Sequence, residues 1–226
     1  MTMRVGDIGA DGGLNNHLTD LKYPLMDPSG LQVVMDFYTK AMLDGRGYQV
    51  RAGTITTPLV GDVDLTDAKS EFCVDPPAGY MLLPVSQIIS VRLSTGTLHE
   101  YATKSVATAS SAGTAFTPLP LLLGATACST TARVAAAGGV TVTVELATTT
   151  RRHWSWANPA AGFTGALPGD QHQEWNPRCP PPIRSLSGAA NACCLYTQIA
   201  AATTGPSYYA HLDFLEFVSA QIGVSS

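Results

Sequence analysis

The chain has 226 residues, 45% hydrophobic and 13% charged, with 13 Lys+Arg against 17 Asp+Glu and a formal net charge of -4. An average soluble domain is about one quarter charged; this composition therefore excludes a mostly disordered chain, which needs high charge and few apolar side chains, and a nucleic-acid surface built on a basic stripe. Lysine stands only at Lys22, Lys40, Lys69 and Lys104, as expected either where neighbouring subunits cover much of the surface or where biased codon usage enriches Ala and Thr.

The N-terminus has no apolar stretch of signal-peptide length, so the expectation is synthesis in the cytoplasm. A glycine- and asparagine-rich arm (Gly9, Gly12, Gly13, Asn15, Asn16) reads as loop. The spacing then predicts one amphipathic helix over residues 30–43, with Ser29 placed to cap its start and Gly45 to end it. Leu31, Val34, Met35, Tyr38 and Met42 form its apolar stripe, with Asp36 and Lys40 on the other side. Residues 1–47 are thus expected to be an arm with a helix, and residues 48–226 one β-domain.

From Tyr48 onward the pattern is β. Residues 48–56, 86–95, 101–107, 140–146, 151–156, 192–200 and 208–218 read as strands, with 140–146 (Val-Thr-Val-Thr-Val-Glu-Leu) alternating strictly. The count approaches about eight, the number of an antiparallel sandwich. The last two runs flank the turn-prone segment Ala202-Thr-Thr-Gly-Pro-Ser207, which predicts a closing hairpin central to the fold. In the final strand Tyr208, Ala210, Leu212, Phe214, Glu216 and Val218 share one face, and Tyr209, His211, Asp213, Leu215 and Phe217 the other. Residues 107–120 and 157–182 read as long loops, which are uncommon unless functional or laid against a partner. The longest apolar cluster, around residues 118–123, falls far short of the roughly 20 residues that cross a bilayer, so no transmembrane segment is expected.

Chemistry is sparse. The chain has no Gly-x-Ser-x-Gly elbow, no phosphate-binding loop, no His-Glu-x-x-His and no dinucleotide fingerprint, so no catalytic residue and no cofactor are expected. His17, His99, His153, His172 and His211 are isolated, without a His-x-His pair to aim two imidazoles from one strand face, so no metal site of cupin type is expected. Cys73, Cys128, Cys179, Cys193 and Cys194 include no Cys-x-x-Cys and read as buried small apolar residues. The acidic run over residues 62–71 (Asp62, Asp64, Asp67, Glu71) lacks calcium-loop spacing and reads as a solvated turn, with calcium left open. Arg151, Arg152, Trp154 and Trp156, with Trp175 in the next loop, are the candidate contact residues: cations interleaved with aromatics can stack on bases or sugars, but they are also the residue types most enriched at subunit interfaces.

The segment Gly79-Tyr-Met-Leu-Leu-Pro-Val-Ser-Gln-Ile-Ile-Ser-Val91, the small-residue loop after it and the closing segment from Ala200 to Phe217 resemble jelly-roll virion proteins of icosahedral bacterial viruses. The resemblance covers roughly the last two thirds of the chain. It implies a jelly-roll sandwich and a capsid subunit without catalytic residues that self-assembles with copies of itself and other virion proteins, located in the virion. The arm and long loops would make the contacts, and arm exchange is a common device of symmetric assembly. A net charge of -4 implies no direct nucleic-acid binding, a departure from shells that package RNA on basic arms. The alternative is a carbohydrate- or receptor-binding sandwich module of a viral spike that uses Trp154, Trp156 or Trp175; a cupin-type metalloenzyme is the third.

Overall fold

The computed structural model describes residues 37–66, 68–93, 98–106, 108–142, 149–157, 170–174, 183–184, 194–202 and 205–218. Helix α1 (Phe37–Leu43) is followed by strands β1 (Gly47–Ala52), β2 (Leu59–Val60), β3 (Lys69–Ser70), β4 (Phe72–Asp75), β5 (Tyr80–Leu93), β6 (Leu98–Val106), β7 (Ser111–Ala112), β8 (Thr114–Phe116), β9 (Leu119–Pro120), β10 (Thr131–Val134), β11 (Val140–Thr141), β12 (Thr149–Ala157), β13 (Gln171–Glu174), β14 (Ile183–Arg184), β15 (Cys194–Ala201) and β16 (Ser207–Val218). The protein is all-β and sandwich-like: one sheet runs β13-β5-β16-β1-β9, a second β12-β6-β15-β4-β10-β8, and a small third β3-β11-β7, all with antiparallel pairing.

The expected closing hairpin does not form. β15 pairs with β4 and β6 in the second sheet, whereas β16 pairs with β5 and β1 in the first. The turn between them is a crossing from one layer to the other. The reason lies in β16 itself. Tyr208, Ala210, Leu212 and Phe214 face the core between the sheets, while Leu215 and Phe217 are buried on the opposite side. A strand apolar on both faces belongs inside a covered sheet with a neighbour on each edge, and β5 and β1 supply them. The crossing is tight: a Cβ on Gly205 would stand 1.9 Å from the Gly61 carbonyl oxygen, so only glycine fits.

The outer side of β16 is covered by α1. Tyr38, Ala41 and Met42 pack on Met81, Leu83, Val85, Leu215 and Phe217, and Phe37 stacks on Phe217 at 5.6 Å between ring centroids. The expected stripe residues Tyr38 and Met42 therefore do face the sheet; residues 30–36 of the predicted helix lie outside the described residues. The helix ends where Gly45 predicts. Gly45 has φ +73°, its N–H donates to Met42 O, and Arg46 N donates to Ala41 O. This is a paired closure that satisfies the last carbonyls through a left-handed residue.

β5 carries Pro84 inside a long strand, where a missing N–H normally breaks a ladder. Two features accommodate it. The register with β16 shifts between Asp213 and Phe214, opposite residues 84–86, and on the other edge β14 pairs with Leu82 and Met81 while β13 begins at Ser86. Among the described residues nothing pairs with Leu83, Pro84 or Val85 on that edge. The shift also swaps faces: Leu82 points to the core before it, Gln87, Ile89 and Val91 after it.

Residues 107–120 are not the featureless loop that their small polar side chains predict. They contribute β7, β8 and β9, and β9 extends the first sheet beside β1 while β8 extends the second beside β10. β11 and β7 lie in the third sheet, and Val140 and Val142 cover Cys73 and Val106 of the second. Residues 143–146 of the predicted strand 140–146 lie outside the described residues, as does most of the predicted loop 157–182.

A polar bridge joins the two main sheets through the core. Gln87 of β5, 1% exposed, donates from Nε2 to Thr197 Oγ1 of β15 at 2.7 Å and accepts at Oε1 from Thr103 Oγ1 of β6 at 2.8 Å. Gln87→Leu leaves both hydroxyls buried and unpaired, so urea denaturation is expected to show a loss of about 3 kcal/mol. Adding Thr103→Val and Thr197→Val removes those orphaned groups and should recover more than half of the loss. Gly205→Ala, at the crossing, should lower the melting temperature by an amount that no relaxation of a flexible side chain can absorb, because the obstructing atom is backbone.

Candidate functional site

Arg151, Arg152, Trp154 and Trp156 all fall on β12, an edge strand of the second sheet. The register sets Trp154 opposite Tyr101 and Trp156 opposite His99, and shifts between Thr150 and Arg152, at Arg151. Tyr101 and His99 are each 1% exposed. The tryptophan positions thus stand in register with residues of the interior. The side chains of these four residues, and Trp175 altogether, lie outside the described residues.

The acidic run divides. Asp62 accepts from Val63 N at 2.7 Å and from Thr66 Oγ1 at 3.2 Å, and Asp64 accepts from the same hydroxyl at 2.8 Å, as a solvated turn would. Glu71 departs from the expectation: it is 1% exposed, its Oε2 accepting from Ile199 N at 2.8 Å beneath the layer crossing. Burial pushes its pKa up to about 8, with the Asp62 charge raising it further and the backbone hydrogen bonds opposing. Tyr208, whose buried hydroxyl has no hydrogen-bond partner among the described residues, is raised well above its ordinary value by desolvation and then by the Glu71 charge.

A second buried carboxylate, Glu216, is fully provided for. It accepts from Ser129 N at 3.0 Å, and from Thr130 N at 2.7 Å, Thr130 Oγ1 at 2.5 Å and Cys128 Sγ at 3.2 Å. The Cys128 thiol is raised by burial and by that carboxylate, so it is held as the neutral donor. On the second sheet, the buried Cys73 thiol donates to Ser110 Oγ at 2.8 Å, and Ser110 N donates to Asp75 Oδ1 at 3.0 Å. Asp75 thereby ties residue 110 of the insertion to β4. Both arrangements are anchors: each polar group is spent on holding a loop to a strand. His153 lies 3.6 Å from Glu100 and His172 3.7 Å from Glu174. Among the described residues no cluster of three His, Cys, Asp or Glu is placed to hold a metal ion, and no helix is long and apolar enough to cross a membrane.

Glu216 and its loop form one wall of an open groove of about 560 Å³, whose lining includes Leu43, Arg46, Tyr48, Leu122, Leu123 and Val218. Tyr48 holds the far side by donating to Thr126 O at 3.2 Å. Leu123 is 93% exposed, Leu43 59%, and Leu121 and Leu122 41% each. Exposed apolar clusters rimmed by polar groups mark contact surfaces, and these leucines form such a cluster beside Asp44, Arg46 and Glu216. The sequence showed the leucines only as an apolar run too short for a membrane; their exposure depends on β9 fixing the run at the edge of β1. A scan against protein-family models finds no match, and neither the curated proteins nor the solved structures contain one.

The Glu71 environment gives a pH prediction with a definite sign. Its folded pKa of about 8 lies above the ordinary 4.5, so between those values the folded state holds a proton that the unfolded state has released. Stability is then fully present below pH 4.5, falls by at most about 1.4 kcal/mol per pH unit as pH rises, and levels off above about 8. Thermal melts across that range should show this decline in the natural chain and its near-disappearance in Glu71→Gln, which stays neutral at every pH.

Proposed function

We propose that the sandwich is a jelly roll and that the protein is a virion structural subunit, self-assembling into an icosahedral shell with copies of itself and with other virion proteins. The observation that carries the reading is the nesting of the eight principal strands. Taken in chain order as β1, β4, β5, β6, β12, β13, β15 and β16, the first pairs with the last, the second with the seventh, the third with the sixth and the fourth with the fifth. One long antiparallel ribbon, rolled so that successive pairs alternate between layers, gives this pattern and gives the two four-strand orders β13-β5-β16-β1 and β12-β6-β15-β4. Capsid and lectin domains use that arrangement.

A fold hosts many functions, so the functional part rests on further features. Charge is sparse over the whole chain, exposed leucines gather at one groove, and the buried polar clusters are spent on holding loops. Each is what a subunit covered by neighbours requires, and catalysis uses none of them. The subunit acts by burying apolar surface, in the virion, after synthesis in the host cytoplasm. Its contact with genome is indirect, since a chain with net charge -4 gains little overall from releasing counterions from nucleic acid.

Negative-stain electron microscopy and light scattering of the purified chain, alone and with companion virion proteins, test the proposal. Closed particles of uniform size are expected. A species that stays monomeric at high concentration and with those companions overturns it.

A further inference from the structure

We infer that the leucine groove is the seat of the chain's own segment 14–26. The groove lies where α1 ends, between Leu43, the loop of Leu121, Leu122 and Leu123, and Val218 at the end of β16. Thirty-six residues precede Phe37, and they enter the fold through the helix that leads to the groove. Within them Leu14, Leu18 and Leu21 recur at spacings of four and three, with Asn15, His17, Asp20 and Lys22 between them, and Pro24, Leu25 and Met26 follow. That spacing gives one apolar stripe on a helical turn, matched in kind to a groove of leucines.

Reach does not limit the contact. Residues 27–36 can span more than about 30 Å when extended, since each residue covers up to about 3.3–3.6 Å, and α1 is only about 10 Å long at 1.5 Å per residue. Tethering decides among occupants. A segment joined by a short linker is presented to the groove at an effective concentration in the millimolar range, above that of a second copy in ordinary solution. The groove is open and mixed in character, and its exposed leucines, Leu123 at 93% above all, are the part that gains by being covered. The occupant is therefore the arm of the same chain. The inference does not depend on the assembly reading, because it concerns the subunit on its own.

Site-specific photo-crosslinking of the full chain tests it. A benzophenone amino acid replaces Leu18, and the protein is prepared as a mixture of isotopically light and heavy chains, so that mass spectrometry separates crosslinks within one chain from those between chains. Crosslinks from position 18 to Leu43 or to residues 121–125, all within one chain, are expected. Leu122→Asp with Leu123→Asp should cut their yield about tenfold, the change that about 1.4 kcal/mol of lost affinity produces, while circular dichroism of the sandwich stays unchanged. Pairs of mixed isotope at the groove overturn the inference in favour of a neighbouring copy. Crosslinks elsewhere, none at all, or a groove yield that ignores the two aspartates overturn it outright.

Discussion

The structure depends on one constraint: β16 is buried along its inner side and, at Leu215 and Phe217, buried and apolar on its outer side as well. Phe214 and Leu212 must face the space between the sheets, and Leu215 and Phe217 must be covered from outside. Burying both faces requires a strand neighbour at each edge, a second sheet below and a further layer above. β5 and β1 meet the first demand, the second sheet the next, and α1 the last. Pairing β16 with β15 in a hairpin would put one of these neighbours in the wrong layer. The crossing through Gly205 and Gly61 follows, and with it the pairing of the first strand with the last.

Within that frame, the buried polar groups hold parts together that apolar contact alone would leave free to slide. Gln87 links layers, Glu216 fastens the residue 128–130 loop to the end of β16, and Asp75 fastens residue 110 to β4. Hydrogen bonds inside a protein are strongly directional and costly to leave unmade. Each pairing therefore specifies a register as well as contributing stability. Glu71 is the exception among them, a carboxyl buried beneath the crossing with its pKa raised by desolvation, so the junction of the two sheets is also the point most sensitive to proton release.

The surface divides in a way the composition did not show. Among the described residues, exposed apolar side chains stand at several places, Ile55, Val60, Val63 and Leu98 among them, and a group of them, Leu43, Leu121, Leu122 and Leu123, lies beside the end of α1. Under the proposed reading, this groove and the nested strand order belong to a subunit that functions by covering and being covered.

Much was legible in the chain alone. Strand β16 close to the predicted 208–218, β1 over the first part of the predicted 48–56, β5 across the described part of 86–95, the stop of the helix at Gly45 and the predominance of β all follow from local chemistry: alternation, a left-handed glycine and turn residues. The polar residues that matter were visible as well, since Gln87 and Glu216 stand in apolar phase with their neighbours, although nothing local said what they would bond. Trp154 and Trp156 drew attention by residue type, and the register then set their positions opposite interior residues. By itself the sequence determined which segments are extended and which faces are apolar, because those depend on near neighbours in the chain. Only the tertiary structure decided which strands pair, that the last two part company, that Glu71 is buried and that the leucines are exposed. Those outcomes depend on how many apolar faces must be covered at once, a condition met only when the whole chain is packed.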